Sequence, residues 1–121
     1  EAYSNNYDLD LNNFISSGYK ISEKENKNNT LIYFYFDKDD LITNIRNLNF
    51  KNKILYYQNI TDPELFKIFD PESMDRCIEA IKNLEISIDE FDYVFSNSYF
   101  TQKQAQKIFS NHDTANFKLP L

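Results

Sequence analysis

The sequence predicts an α/β domain built as a Rossmann-like parallel sheet flanked by helices. Three observations lead there. The runs "LIYFYF" (31–36), "KILYY" (53–57) and "FDYVFS" (91–96) are apolar, β-branched and aromatic without polar alternation. Runs of that kind read as strands buried on both faces. Segments of helical periodicity separate them, and strands alternating with helices imply parallel pairing through right-handed crossovers. Each run also stops at polar residues: Asp37, Gln58-Asn59 and Ser96-Asn97-Ser98. In open parallel sheets, ligands bind beyond the carboxyl ends of the strands, so all three tips are expected to face one crevice.

The elements follow in order. Residues 1–30 are polar and Asn-rich, with apolar pieces at 9–11 and at Phe14-Ile15, and "SEKENKNNT" (22–30) reads as a solvated loop. After the first strand, Asp37 is the expected N-cap of a helix on which Leu41, Ile42, Ile45 and Leu48 recur at helical spacing. The second strand, 53–57, runs into the turn Gln58-Asn59-Ile60-Thr61. An apolar hook of Leu65, Phe66, Ile68 and Phe69 follows, with Phe66 and Phe69 expected to plug the core, a stacking platform for a ligand being the alternative. Asp70 caps a long helix with Pro71 first and Glu72 in its first turn, an order the helix dipole favours. Its predicted buried stripe is Met74, Cys77, Ile78, Ile81, Leu84 and Ile88. After the third strand, Thr101-x-x-Gln104 reads as a capping box opening a helix that turns Ala105, Ile108 and Phe109 inward. "FKLPL" (117–121) looks like a last strand cut short.

Composition bounds the function. The 121 residues make a single domain, 1–121, or a piece of a larger enzyme, and Glu1-Ala2-Tyr3 reads as mid-element, so a fragment is expected. Apolar residues are 41%, with nine Tyr and eleven Phe, enough to supply a packed core. A net charge of −6 with no basic stripe argues against nucleic acid or an anionic membrane as partner. No apolar run approaches the roughly 18 residues of a transmembrane segment. The single cysteine, Cys77, rules out an internal disulfide and fits a reducing, cytoplasmic compartment. On an apolar helix stripe it reads as a core residue, and lone His112 in "SNHDTAN" reads as surface. No metal and no other cofactor is expected, and with Gly18 the only glycine there is no Gly-rich phosphate loop.

The strand leading into Asp37-x-Asp39 resembles the start of haloacid-dehalogenase-like phosphatases, where one Asp is nucleophile, the next is acid/base, and Mg²⁺ lies between; Ser96 then mimics their second motif. Against this, Asp40-Leu41 stands where a Gly-Thr pair usually follows, and no later acidic pair follows a strand. An Asp-rich helix start, favoured by the dipole, is the simpler account.

The opening of the middle region carries a closer likeness. "ILYYQNITDPELFKIFDPE", followed by Cys77, resembles the acceptor-side, amino-terminal half of the family-four glycosyltransferases, which have the two-domain GT-B fold. A branch of that family has a strand ending in His-Asn-Ile-Thr, a Pro-Glu-Phe-Phe hook, an Asp-Pro-Glu helix start and a Cys in that helix. The matching residues here are Asn59-Ile60-Thr61, Pro63-Glu64-Leu65-Phe66, Asp70-Pro71-Glu72 and Cys77. The likeness extends through "DYVFSNSYFT" to "LPL", and more weakly back to "EAYS" and "LIYFYF".

The resemblance implies a retaining transfer from a nucleotide-sugar donor to a sugar or glycan acceptor, usually without an essential metal. The donor binds mainly to a carboxy-terminal domain that these residues lack, along with its paired glutamates. It implies a catalytic position at Gln58, substrate contacts from Asn59, Thr61, Ser96, Asn97 and Ser98, and a sheet lacking its first strand. The departures are specific. Gln58 replaces a His, and its amide exchanges hydrogen bonds but neither titrates near neutral pH nor carries charge. Asp37-Lys38-Asp39-Asp40 replaces a small Gly-Ser turn, and Phe34 stands where some relatives have a His. The other expectation is a glycosyltransferase-like module that binds or assembles within a larger protein without catalysing transfer. For Asn59 and Thr61, capping the turn and contacting sugar stand as alternatives, as do turn formation and crevice lining for Ser96 and Ser98.

Overall fold

A computed structural model describes residues 2–4, 15–110 and 117–118. Two short strands, β1 (Ala2–Ser4) and β2 (Ile15–Ser17), pair in parallel, with Ala2 opposite Ile15 and Ser4 opposite Ser17. A 3₁₀ turn over Gly18–Lys24 follows. Then β3 (Thr30–Tyr35), α1 (Leu41–Ile45), β4 (Asn52–Tyr57), α2 (Pro71–Glu85), β5 (Tyr93–Ser96), α3 (Tyr99–Ile108) and β6 (Phe117–Lys118) alternate along the chain. The second sheet is parallel throughout, and its spatial order β3-β4-β5-β6 is its sequence order.

That order has a strong consequence. Each crossover steps the same way across the sheet, so right-handed connections put every intervening helix on one face. The core lies there. Leu31, Tyr33 and Tyr35 of β3, Leu55 and Tyr57 of β4, and Val94 and Ser96 of β5 are buried on the helix side. They pack with Leu41, Ile42 and Ile45 of α1, Ala80 and Leu84 of α2, and Ala105 and Phe109 of α3. The Tyr35 hydroxyl donates to the Ala80 carbonyl of α2 at 2.9 Å, tying sheet to helix through a buried bond.

The other face is partly exposed, with Ile54, Tyr56 and Phe95 half-buried on it. Ile32 is 54% and Phe34 55% exposed, and the Phe34 ring lies 5.1 Å from that of Tyr56 on β4. The expectation of strands buried on both faces is thereby corrected. β3 alternates strictly between exposed and buried residues. The absence of chemical alternation reflects aromatic and aliphatic residues on both faces, while helices cover one.

Helix starts show the same mixture of agreement and correction. Asp70 caps α2, its carboxylate accepting from the Ser73 N–H at 3.0 Å, with Pro71 first. Within α2, Ala80 and Leu84 are buried and Cys77 and Ile81 half-buried, while Ile88 belongs to a buried 3₁₀ turn after the helix. Asp37 is not the cap of α1. That helix starts four residues later, and Asp39 Oδ1 accepts the Leu41 N–H instead. α3 opens at Ser98, whose hydroxyl accepts the Thr101 N–H at 3.1 Å, so Thr101 lies inside the helix and no capping box forms. Ser98 offers an equally good cap three residues earlier and wins because the turn from β5 is already closed there. No helix among the described residues is long and apolar enough to cross a membrane.

Burial raises the pKa of three tyrosines on the helix side. For Tyr33 the bond its hydroxyl donates to Asp39 and the Asp39 charge add to burial, and for Tyr35 that charge adds to it. Tyr57 is pushed up to about 12 by burial. A phenol whose pKa is raised in the folded state contributes stability that is complete below the unfolded value near 10 and is lost as pH rises through the folded value. Alkaline titration at the tyrosinate band is therefore expected to split the nine tyrosines. The buried set ionises only as circular dichroism reports unfolding above pH ~10. A single smooth titration with the fold intact would contradict this burial.

Candidate functional site

The carboxyl ends of the three main strands are level. Tyr35 pairs with Tyr57, and Tyr57 with Ser96, so the turns after β3, β4 and β5 leave the sheet side by side. The structure thus brings residues 36–40, 58–61 and 97–98 to one edge, as the sequence predicts.

The middle turn is built from below. Gln58 continues the ladder by donating its N–H to the Tyr35 carbonyl at 3.0 Å, and its side chain is half-buried. Asn59 follows at φ 142°, the one non-glycine residue with positive φ among those described. Such a backbone costs about 1–3 kcal/mol and persists only where its surroundings impose it. Here a three-part clamp imposes it. The buried Tyr57 hydroxyl accepts the Ile60 N–H at 3.1 Å and donates to Gln104 Oε1 at 2.8 Å. Gln104 Nε2, reaching up from α3, donates to the Ile60 carbonyl at 2.8 Å. Both backbone polar groups of Ile60 are satisfied, and its side chain is buried in the core.

Asn59 and Thr61 are exposed, and neither side chain hydrogen-bonds to the protein among the described residues. Neither therefore closes its own turn. The polar tip of Gln58, Asn59 and Thr61 presents amide and hydroxyl groups to solvent on a strained, clamped loop, suited to exchanging hydrogen bonds with a polyhydroxylated ligand.

The flanking turns are largely spoken for by the protein. Asn97 Oδ1 accepts from the Thr101 hydroxyl at 2.5 Å, and Ser98 caps α3. Ser96 is fully buried on the helix face and its hydroxyl has no protein partner, so it lies beneath the strand tips and does not reach the surface. On the β3 side, Arg76 of α2 grips Asp37 through two bonds, its Nε donating at 2.9 Å, and Lys38 pairs with Glu79. The Lys38 contact holds the Glu79 carboxyl below its ordinary range and raises the Lys38 ammonium, through a direct hydrogen bond and charge. Asp39 takes the Tyr33 hydroxyl at 2.6 Å. The Asp37-x-Asp39 pair of the phosphatase-like reading is thus engaged in fastening the first turn to α2 and β3.

The apolar hook departs from expectation. Leu65, Ile68 and Phe69 are 63%, 94% and 73% exposed, and Phe66 is half-buried, meeting Phe69 edge-on at 5.9 Å. Phe66 and Phe69 do not plug the core. Asp62 caps the 3₁₀ turn Pro63–Phe66, through which the chain passes from the 58–61 tip into the hook and on to α2. Tyr99 and Phe100 are likewise exposed on the first turn of α3. Exposed apolar side chains in this number are available to meet a partner surface or ligand.

Cys77 is half-buried, and burial raises its thiol, the opposite of what an activated cysteine needs. No three His, Cys, Asp or Glu residues are placed to hold a metal ion among the described residues, and His112 lies outside them. Sequence reasoning missed Tyr57 and Gln104 as the parts that hold the tip. A glutamine beside buried Ala105 on a helix packed against the sheet is the signal that points to it. Neither a family model, nor a curated protein, nor a solved structure matches the chain.

Two substitutions test the clamp. Gln104→Ala strands the Tyr57 hydroxyl and the Ile60 carbonyl and is expected to cost about 1–3 kcal/mol in urea unfolding. Asn59→Gly relaxes the strained φ and is expected to stabilise by about 1 kcal/mol. Loss of stability with Asn59→Gly would mean that the side chain, and not the clamp, sets the turn.

Proposed function

We propose that this chain is the acceptor-side domain of a retaining, cytoplasmic glycosyltransferase: one half of a GT-B fold, lacking its first strand. The observation that carries the reading is the placement of the family-like residues. Gln58 to Thr61 lie at the carboxyl end of the middle parallel strand, level with both neighbours, on a turn held in a costly conformation. Sites of strained, clamped backbone at a ligand-binding edge are where fixed positioning is worth its cost.

In this reading the tip residues orient sugar hydroxyls, with Gln58 nearest the transferred sugar. Its amide donates to an oxygen that gains charge as the diphosphate leaves and accepts from a hydroxyl, without changing protonation. The exposed hook supplies an apolar contact for the acceptor. A donor domain supplied elsewhere in the polypeptide, with its paired glutamates, forms the other wall, because transfer requires donor and acceptor to be oriented together. The 121 residues alone are therefore inactive.

The second reading, a non-catalytic binding or assembly module, is favoured by Gln58 itself and by Asp37 and Lys38, which are tied to α2. Activity separates the two. The full open reading frame, incubated with a panel of nucleotide-sugars, is expected to release nucleoside diphosphate, and Gln58→Ala to lower turnover ~100-fold with an unchanged melting temperature. An unchanged rate makes Gln58 structural, and no release by the intact protein favours the module. Calorimetry on the 121-residue chain is expected to show no tight nucleotide-sugar binding; tight binding would place the donor site here.

A further inference from the structure

The hook between β4 and α2 is apolar, exposed and held in place all at once. Ile68 is 94% exposed, and Leu65 and Phe69 stand out near it in the chain. Side chains of that size left in water contribute almost no burial to the fold. Yet the segment that carries them is tied down at both ends. Asp62 accepts the Glu64 N–H through its carboxylate and the Leu65 N–H through its carbonyl, each at 3.1 Å. The Phe66 carbonyl accepts from the Phe69 N–H at 3.2 Å and from the Asp70 N–H at 2.9 Å, and Asp70 caps α2. The half-buried Phe66 ring meets Phe69 edge-on and backs it. Anchors fixed in this way lose little freedom when something docks on them.

Charge narrows what docks. Residues 62–75 carry five carboxylates, Asp62, Glu64, Asp70, Glu72 and Asp75, against one lysine. That lysine, Lys67, pairs with Glu64 at 3.1 Å, and Arg76, the next cation along the chain, is held by Asp37. Asp62, Glu72 and Asp75 have no ion-pair partner among the described residues. Hydrogen bonds from Ser73 hold the Asp70 carboxyl below its ordinary range, so it too is charged at neutral pH. Apolar anchors in a negative field select a partner whose apolar stripe is flanked by cations. An anionic lipid surface is repelled. A second copy in a two-fold contact sets carboxylates against carboxylates. The three anchors also offer well under the ~800 Å² per partner of a stable dimer, which suits a short segment.

We propose that the hook is a docking site for a basic, amphipathic polypeptide segment of a separate protein. Leu65, Ile68 and Phe69 take its apolar stripe, and the carboxylates of the same stretch take its Lys and Arg. The docking does not rest on sugar transfer. Within that reading, the hook's apolar contact with the acceptor becomes a contact with the polypeptide that carries it.

Fluorescence anisotropy on the protein from the full open reading frame tests it. The probe is a labelled helical peptide with leucine along one face and lysine along the other; a companion peptide carries glutamate in place of every lysine. The lysine peptide is expected to bind and the glutamate peptide not to. Ile68→Ser is expected to weaken binding at least ~10-fold with an unchanged melting temperature, since its side chain already lies in water. Glu72→Gln with Asp75→Asn is expected to weaken it ~5-fold at low salt. Absence of binding by the lysine peptide, equal binding by the glutamate peptide, or binding that Ile68→Ser leaves unchanged would overturn the proposal. So would self-association, or binding to phosphatidylcholine vesicles, that Ile68→Ser abolishes; these assign the hook to a second copy or to a lipid surface. Release of nucleoside diphosphate from nucleotide-sugars is read independently, so docking and sugar transfer can fail separately.

Discussion

Everything in this fold depends on the direction in which the chain crosses its sheet. Four parallel strands in sequence order, joined by right-handed crossovers, leave no choice about where the helices go. One face acquires α1, α2 and α3 and becomes the core; the other acquires none of them. The same constraint aligns the strand tips, because parallel strands in register all end on one side. Core, half-exposed face and aligned strand tips are three results of one topological fact.

The middle strand tip adds a local constraint of its own. Tyr57 begins the arrangement from the last position of β4, where its ring is buried and its hydroxyl must find partners. It finds Gln104 and the Ile60 amide, and by doing so it fixes the residue between, Asn59, in a conformation the side chain would not choose. The polar tip is thus held by groups set back from its surface. Ion pairs from α2 to the first turn and the Ser98 cap on the third hold its neighbours in place. Each surface pair contributes little alone, but the three turns differ in character: charged, polar amide and helix-capping.

Much of this was legible in the residues. The three strands lie within two residues of their predicted bounds, because β-branched and aromatic runs between turn residues have few alternatives. Asp70-Pro71 starts α2 as expected, since cap and proline act locally. What the residues could not show was which face the helices take. Phe34 and Tyr35 are equally apolar to a reader of sequence, yet one is exposed and the other buried. Ser98 and Thr101 are both good caps, and only the end of β5 decides between them. Asp37, Asp39 and Asp40 compete for one helix start, and the competition is settled by Arg76 and Tyr33, distant in sequence. Phe66 and Phe69 read as core residues from their apolarity alone, and nothing local in the sequence shows that the 3₁₀ turn leaves Phe69 exposed and Phe66 half-buried. Gln104 was legible as a helix residue, but its role needed Tyr57 beside it.

The central claim is that the 58–61 tip is one wall of a sugar-transfer cleft. Amide chemical-shift mapping on the isotopically labelled full-length protein, titrated with a nucleotide-sugar it hydrolyses or transfers, tests it directly. The account predicts shifts clustered at Gln58, Asn59 and Thr61, with Ile32 and Phe34 on the far face unmoved. Unmoved tip resonances under saturating donor, with shifts elsewhere in the domain, would contradict it.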